Sequence, residues 1–411
     1  MNFLLKALYV KALFMFFPST MLFMTLGNAM AQNVAKAQND LDLPIRKIVE
    51  KYYDGKNFYV GVAPKGSFLT SGVDNERRLN LLLSEFSYIT PENSFKQASV
   101  YTHPGAPWKA DEYRQWIEVA RKNNMVVRAH GPVSPQCSRW VKGMLDGKRT
   151  GAELLPVMEH YVTELSKDLE KNRDVVKWMD VVNETVVGGE TNKSSYKVGD
   201  WFGPIDGEDF QNPWLMIGQD QSTDLQVPLY IIRAFELANQ YAPGVKMLYN
   251  HHHPQLQQLA WDKVKATVLF LRERGLRVDA VGWQAHVTLG WEKNSKNMKD
   301  LEALIDWCYD NHLEFHITEL NVVRDPRFNE ETLPELAETF YALTALMAKK
   351  VGRGAVGINF WDFESTEMKT ASNANRGGIF DTQLSRQSPQ YLAIKRALIE
   401  HGRIINKLNS K

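Results

Sequence analysis

The chain has 411 residues, 44% of them hydrophobic, with 49 basic against 48 acidic side chains. So even a balance gives no electrostatic case for a nucleic-acid partner or an anionic membrane surface, and the length suits one large domain or two ordinary ones. The 11 Trp and 15 Tyr suit a large aromatic core, and would equally suit platforms for stacking flat ligand faces.

At the N-terminus, Lys6 and Lys11 precede an apolar run from Ala12 to Leu26, followed by Ala29-Met30-Ala31. A basic start, a short apolar stretch and a small-x-small site read as a secretory signal peptide over 1–31, cut after Ala31. Pro18, Ser19 and Thr20 interrupt the run and leave it short for a membrane span. The expectation is a secreted or periplasmic protein with no membrane contact after cleavage. Residues 32–44 read as a polar tail of the mature chain.

From there, strand and helix patterns alternate. Strand candidates are Phe58–Ala63, Phe86–Thr90, Met125–Ala129, Val175–Val182, Lys246–Tyr249, Ala280–Gln284, Leu313–Thr318 and Ala355–Trp361. Near-continuous apolar runs fit strands covered on both faces, as in parallel sheets. Helix candidates are Asn75–Glu85, Asp111–Asn123, Ala152–Lys171, Val227–Tyr241, Gln255–Gly275, Lys299–His312, Glu331–Lys350 and Pro389–His401. In the third, Leu154, Met158, Tyr161, Leu165 and Leu169 recur at three- and four-residue steps and form one apolar stripe. Eight strands alternating with eight helices predict a (β/α)8 TIM barrel, a single catalytic domain over 45–405. A doubly wound open sheet is the alternative, but the glycine-rich phosphate turn it would carry early is absent. One connection is long: residues 187–226 are polar, contain Trp201, Phe202 and Trp214, and are a candidate cleft wall.

In such barrels, chemistry sits at the C-terminal ends of strands. Those ends read Asn93 and Lys96 after strand two, His130 after strand three, Asn183-Glu184 after strand four and Asn250 after strand five. Gln284 and His286 follow strand six, Glu319 strand seven and Trp361 strand eight. One Asn-Glu pair alone is commonly a helix cap; polar groups in register across so many strands are more than a core needs. Two glutamates at strand ends suggest a retaining glycosidase, one carboxylate attacking an anomeric carbon and the other supplying and reclaiming a proton. The acid must hold its proton near neutral pH, which a neighbouring anionic nucleophile favours. Asn183 would hydrogen-bond a sugar 2-hydroxyl, His286 would orient Glu319 and help keep it ionised, and Trp361 would floor the cleft.

The chain resembles glycoside hydrolase family 10, the secreted endo-β-1,4-xylanases. The matching stretches are Thr90-Pro91-Glu92-Asn93-Ser94-Phe95-Lys96, Val127-Arg128-Ala129-His130, Asp180-Val181-Val182-Asn183-Glu184, Leu248-Tyr249-Asn250, Val281-Gly282-Trp283-Gln284-Ala285-His286, Ile317-Thr318-Glu319-Leu320-Asn321 and Gly357-Ile358-Asn359-Phe360-Trp361. The likeness implies that Glu184 is the acid/base and Glu319 the nucleophile. It also implies that Asn93, Lys96, His130, Asn183, Gln284, His286 and Trp361 line the sugar subsite beside the cleavage point. The implied partner is a xylan-type polysaccharide or its oligosaccharides, handled by a monomer without a cofactor or metal.

The chain departs from that family at several places. Ser134-Pro135 stand where the family has a Trp-His pair, and Asp362–Arg376 contains no Trp where the family has a second one. Lost bulk should enlarge the cleavage subsite, so a sugar with an exocyclic C6 group or a decorated xylose is the alternative substrate. A further alternative is a noncatalytic carbohydrate-binding barrel, which would be expected to lack one of the two glutamates. His251-His252-His253 invites a metal reading, but neighbours in an extended segment alternate sides, and polar cleft lining is the expectation. His316 precedes Glu319 by three residues, so it should face away from it and be structural. Cys308 shares a helical face with Leu301, Leu304 and Ile305, which favours a buried free thiol over a disulfide with Cys137.

Overall fold

The structure is a computed structural model and describes residues 40–188, 197–204, 211–256, 258–323, 329–365 and 376–409. The expected leader and residues 32–39 of the expected tail lie outside the described residues. The architecture below belongs to the unit Ile45–Lys411.

In chain order, the unit runs α1 (Ile45–Tyr53), β1 (Tyr59–Val62), α2 (Val73–Glu85), β2 (Tyr88–Ile89), α3 (Gln97–Val100), α4 (Asp111–Lys122), β3 (Val126–Ala129), α5 (Gly151–Lys171), β4 (Val176–Asn183), α6 (Leu229–Tyr241) and β5 (Lys246–His251). It continues with α7 (Leu259–Glu273), β6 (Ala280–Trp283), β7 (His286–Val287), α8 (Ser295–Asp310), β8 (Glu314–Val322), α9 (Leu333–Lys349), β9 (Ala355–Phe360) and α10 (Pro389–Asn409). Strands β1 to β6 pair in sequence and in parallel. Strand β6 then pairs with β8, β8 with β9, and β9 with β1. The ring is closed, which excludes the open doubly wound sheet. The eight expected strands are the eight staves; β7 is a short extra ribbon on the far end of β8, where His286 pairs with Asn321.

The apolar stripe of α5 is buried in full, from Leu154 to Leu169. Its start is fixed by Thr150, which accepts from Glu153 N at 3.3 Å while Glu153 Oε2 accepts from Thr150 N at 2.8 Å. Helix α1 is an element that the alternation pattern misses. It is only nine residues long, yet it buries Ile45, Ile48, Val49 and Tyr52. Trp116, Trp178, Trp214, Trp261 and Trp283 are fully buried and Trp201 and Trp291 nearly so, so most of the 11 tryptophans are core. Cys137 and Cys308 are both buried free thiols. Burial pushes Cys137 up to about 12, which keeps it inert.

The barrel interior is polar and crossed by side chains. Arg128 on β3, fully buried, donates to Asp180 Oδ2 at 2.6 Å and reaches across to Thr318 O on β8 at 2.8 Å. Below it, Trp178 on β4 donates its indole N–H to Glu314 Oε2 on β8 at 2.8 Å. Lys246 on β5 pairs with the same carboxylate. Room for these side chains comes from glycine: a Cβ on Gly357 would run into the His316 ring, and one on Gly282 into Asn250 and Thr318.

Of four register shifts among the described strand pairs, two lie just before the candidate site residues of β4 and β8. On β4, Asp180 pairs with Leu248 and Val182 with Tyr249, so one extra residue is inserted between them. On β8, Ile317 pairs with Ile358 but Leu320 with Phe360, so Thr318 and Glu319 together oppose Asn359. A bulge reverses the parity of everything beyond it. Trp178 and Asp180 point inward, and so does Asn183; His316 and Thr318 point inward, and so does Glu319.

Candidate active site

The bulges place two carboxylates on one continuous amide bridge. Asn183 Oδ1 accepts from Asn250 Nδ2 and from Gln284 Nε2, both at 3.0 Å. The same Asn250 nitrogen donates to Glu319 Oε1 at 2.9 Å, and the same Gln284 nitrogen donates to Glu184 Oε1 at 2.8 Å. Thr318 Oγ1 donates to Asn250 Oδ1 at 2.8 Å, and the Glu319 carboxylate, which can only accept, fixes which way that amide faces. The Asn183 oxygen is thereby used up, and its Nδ2 is buried with no protein partner. An amide nitrogen can only donate, so this atom is a donor reserved for an incoming acceptor. Glu184 Oε2 likewise has no protein partner. Strand β4 ends as Glu184 enters the left-handed region with φ 54°, a conformation uncommon for a non-glycine residue, which turns its side chain out of the strand pattern.

Glu319 lies among two imidazoles and a guanidinium. His286 Nε2 lies 3.3 Å from Oε2, and His130 Nδ1 lies 3.6 Å from Oε1 and 2.7 Å from Asp180 Oδ2. Burial acts to raise the Glu319 pKa, but His130, the hydrogen bond from His286 and the Arg128 charge outweigh it and hold the carboxyl at about 2. Burial acts to lower His286, and the hydrogen bond and charge of Glu319 more than reverse it, so the imidazole sits above its usual range.

Lys96 is buried, donates to Asn93 Oδ1 at 2.9 Å and contacts Gln136, and its ammonium lies 5.9 Å from the Trp361 ring centre. Trp361 stands edge-to-face with His130 at 5.1 Å. Burial lowers the Lys96 pKa against the opposing pull of Glu319, Glu184 and Glu92. All ten residues expected at the site therefore fall at one end of the barrel, linked by contacts through Glu184, Glu319, His130 or Lys96.

The three consecutive histidines divide. His251 is buried edge-on against Trp261 at 5.3 Å, and burial holds it neutral. His252 and His253 line a cavity of about 750 Å3 with Glu184, Gln284, His286 and Trp291. The turn that carries them is pinned by three indoles: Trp283 and Trp261 donate to His253 O at 3.1 and 3.3 Å, and Trp291 to Pro254 O at 3.3 Å. Among the described residues, no three His, Cys, Asp or Glu side chains come together as metal ligands would.

Several expectations need correction. Glu319 is not at the end of its strand, because β8 continues to Val322. His316 does not face away from it; the bulge puts both side chains inside the barrel, where His316 packs on Trp178 at 5.0 Å and lies near Glu314. Residues 189–196 and 205–210 of the long connection lie outside the described residues. Its Trp201, Phe202 and Trp214 are buried, Trp214 donating to Ser134 O at 3.1 Å, so these aromatics support loops rather than face a ligand. Residues 366–375 of the second expected Trp region also lie outside. Sequence reasoning missed Asp180, Asn321 and Asp362 as site neighbours. The first two stood inside quoted motifs, but only the contacts show that they hold His130 and His286.

The model of glycosyl hydrolase family 10 matches residues 49–397. Endo-1,4-beta-xylanase A of Caldicellulosiruptor saccharolyticus is 30% identical over 284 residues, covering 69% of this chain and 71% of that protein. Among solved structures, the endo-1,4-beta-xylanase XylE of Penicillium canescens matches with TM-score 0.68 and 23% identity, over 87% of this chain and 98% of that one. Xylanase 10B of Thermotoga petrophila RKU-1, solved in complex with xylobiose, matches with TM-score 0.67 and 24% identity, over 88% of this chain and 98% of that one.

Proposed function

The chain belongs to glycosyl hydrolase family 10, and on that premise we propose that it cleaves β-glycosidic bonds in a xylan-type polysaccharide by double displacement, outside the cytoplasm. The observation that carries the reading is the amide bridge from Glu184 to Glu319. It keeps two carboxylates in unlike surroundings, one held well below the usual carboxylate range by its His130, His286 and Arg128 neighbours and one with a free oxygen.

In the first half-reaction, Glu319 attacks the anomeric carbon. The bond from that carbon to the leaving oxygen breaks, its electron pair stays on the oxygen, and the oxygen takes the proton of Glu184. In the second, Glu184 takes a proton from water, the water oxygen attacks the same carbon, and the ester bond breaks with its pair returning to Glu319. One water is consumed and the configuration is retained. Asn183 Nδ2 suits a sugar hydroxyl oxygen at the reacting ring, a contact that strengthens as the ring flattens. Trp361 and Lys96 serve the sugar on the Glu319 side. The cavity beside Glu184, walled by His252, His253 and Trp291, suits the leaving half of the chain.

The test is reducing-sugar release from unsubstituted xylan, decorated xylan and a panel of hexose β-glycans, with Glu319→Gln as the blank. Xylan cleavage that vanishes in the variant is the expected result. Turnover of a hexose polymer with silence on xylan would instead mean that Ser134 and Pro135 mark a changed substrate. The leader expected over 1–31 is tested by the N-terminal sequence of the exported protein, which should begin at Gln32.

A further inference from the structure

Behind His286 the contacts continue through Asn321 to Asp362. His286 Nδ1 lies 2.6 Å from Asn321 Oδ1, and Asn321 Nδ2 donates to Asp362 Oδ2 at 2.6 Å. Asn321 is fully buried, so its amide has these two partners to choose between. A carboxylate only accepts, and an amide nitrogen only donates. Asp362 therefore dictates that the amide oxygen of Asn321 faces the imidazole. On the other side, His286 Nε2 faces a second acceptor, Glu319 Oε2, at 3.3 Å. A neutral imidazole carries one N–H and can satisfy only one of the two acceptors; the cation satisfies both.

We propose that Asp362, acting through Asn321, holds His286 as a doubly donating cation against Glu319, which makes Asp362 and Asn321 positioning residues for this centre. The inference rests on the proposed role of Glu319 as the group that forms and releases the sugar ester. A cation donating to Glu319 stabilises the carboxylate that reappears as the ester breaks, so the second half-reaction gains most. Glu319 and Glu184 favour the cationic form of His286, while burial opposes it. Asp362 is faced by the Asn321 amide and by Arg376 at 3.9 Å, and it feels the charges of His286 and Lys65. Without the Asp362 carboxylate, the Asn321 amide is free to turn over, present its nitrogen to Nδ1 and leave a neutral imidazole that still donates to Glu319 through Nε2.

The test is a 15N-histidine NMR titration of the full chain, with the His286 signals assigned by their loss in His286→Gln. The wild type should keep both ring protons on His286 through neutral pH. Asp362→Leu should move the His286 titration down by about one unit or more and leave an Nε2–H tautomer, with kcat on an aryl xylobioside falling about tenfold and KM little changed. Asp362→Asn, which retains an accepting oxygen, should largely restore the tautomer. The double variant Asp362→Leu/Asn321→Asp, which puts a carboxylate directly on Nδ1, should restore the cation and guards against a fold defect in the single variant. An unchanged His286 titration in Asp362→Leu, or a double variant that behaves like it, overturns the proposal. The titration needs no turnover, so a protein inert on xylan would defeat the functional reading and leave this result standing.

Discussion

Trp178 and Glu314 meet across the barrel axis, the indole N–H of one donating to the carboxylate of the other at 2.8 Å. Lys246 and His316 share the same carboxylate. Burial acts to raise Glu314, but His316, Lys246 and Trp178 together hold it at about 2. A carboxyl depressed in the folded state stabilises that state above its unfolded pKa. The contribution fades as pH falls toward the folded value. Glu314→Gln should therefore be less stable than the wild type at pH 7 by roughly 2–3 kcal/mol. The gap should close between about pH 5 and pH 2, as read by denaturant unfolding at each pH. Trp178→Phe, which removes one donor, should cost about 1–2 kcal/mol at neutral pH.

The two glutamates should separate by leaving group. Glu319→Gln should lower turnover by about 10^3-fold or more on every substrate, because no ester can form. Glu184→Ala should lower it by about 10^2–10^4 on a natural sugar leaving group. On a dinitrophenyl glycoside, whose leaving oxygen needs no proton, the first half-reaction should be nearly normal. Stopped-flow detection of a burst of dinitrophenolate followed by slow turnover checks this.

Asn183 should matter more in the transition state than in binding. Its oxygen is occupied by Asn250 and Gln284, and its nitrogen is buried without a protein partner. Asn183→Ala should reduce kcat/KM by about 10^2–10^3 on a full substrate, and by much less on a 2-deoxy analogue that never made the contact. Equal losses on both would mean that the residue only supports the bridge.

Gly282→Ala should be felt at the site before it is felt in the fold. The added methyl group meets Asn250 Oδ1 and Thr318 Cγ2, the two groups that orient the bridge to Glu319. Overpacking of this kind costs about 1–3 kcal/mol. The expected result is a folded protein whose Tm falls by only a few degrees while kcat drops by more than tenfold.

The sequence shows the staves, the helices and both glutamates because each rests on a local signal: an apolar run, a 3.6-residue stripe, a carboxylate after a strand. What it hides is anything that breaks period two. The bulge that pairs Thr318 and Glu319 against Asn359 has no residue signature, since neither glycine nor proline marks it. That is why His316 reads as facing away from Glu319 when it lies deeper in the same interior. Asp362 is hidden for another reason. It follows the last strand as one more polar loop residue, and its partner Asn321 lies on a different strand, so only the closed ring brings them together. The buried aromatics of the long connection are ambiguous in the same way, because a tryptophan that props a loop and one that faces a ligand are the same letter.

The paired bulges also divide the barrel into two storeys. Below Asp180 and Ile317 lie Trp178, Glu314 and His316, which meet across the interior; above them the parity of β4 and β8 is reversed and Asn183, Glu184 and Glu319 follow. A transplant of the upper storey onto another eight-stranded scaffold would have to bring Val181 and Thr318 with it. Without that one extra residue in each strand, Asn183 and Glu319 would turn to the helix side and the amide bridge would have no ends to join.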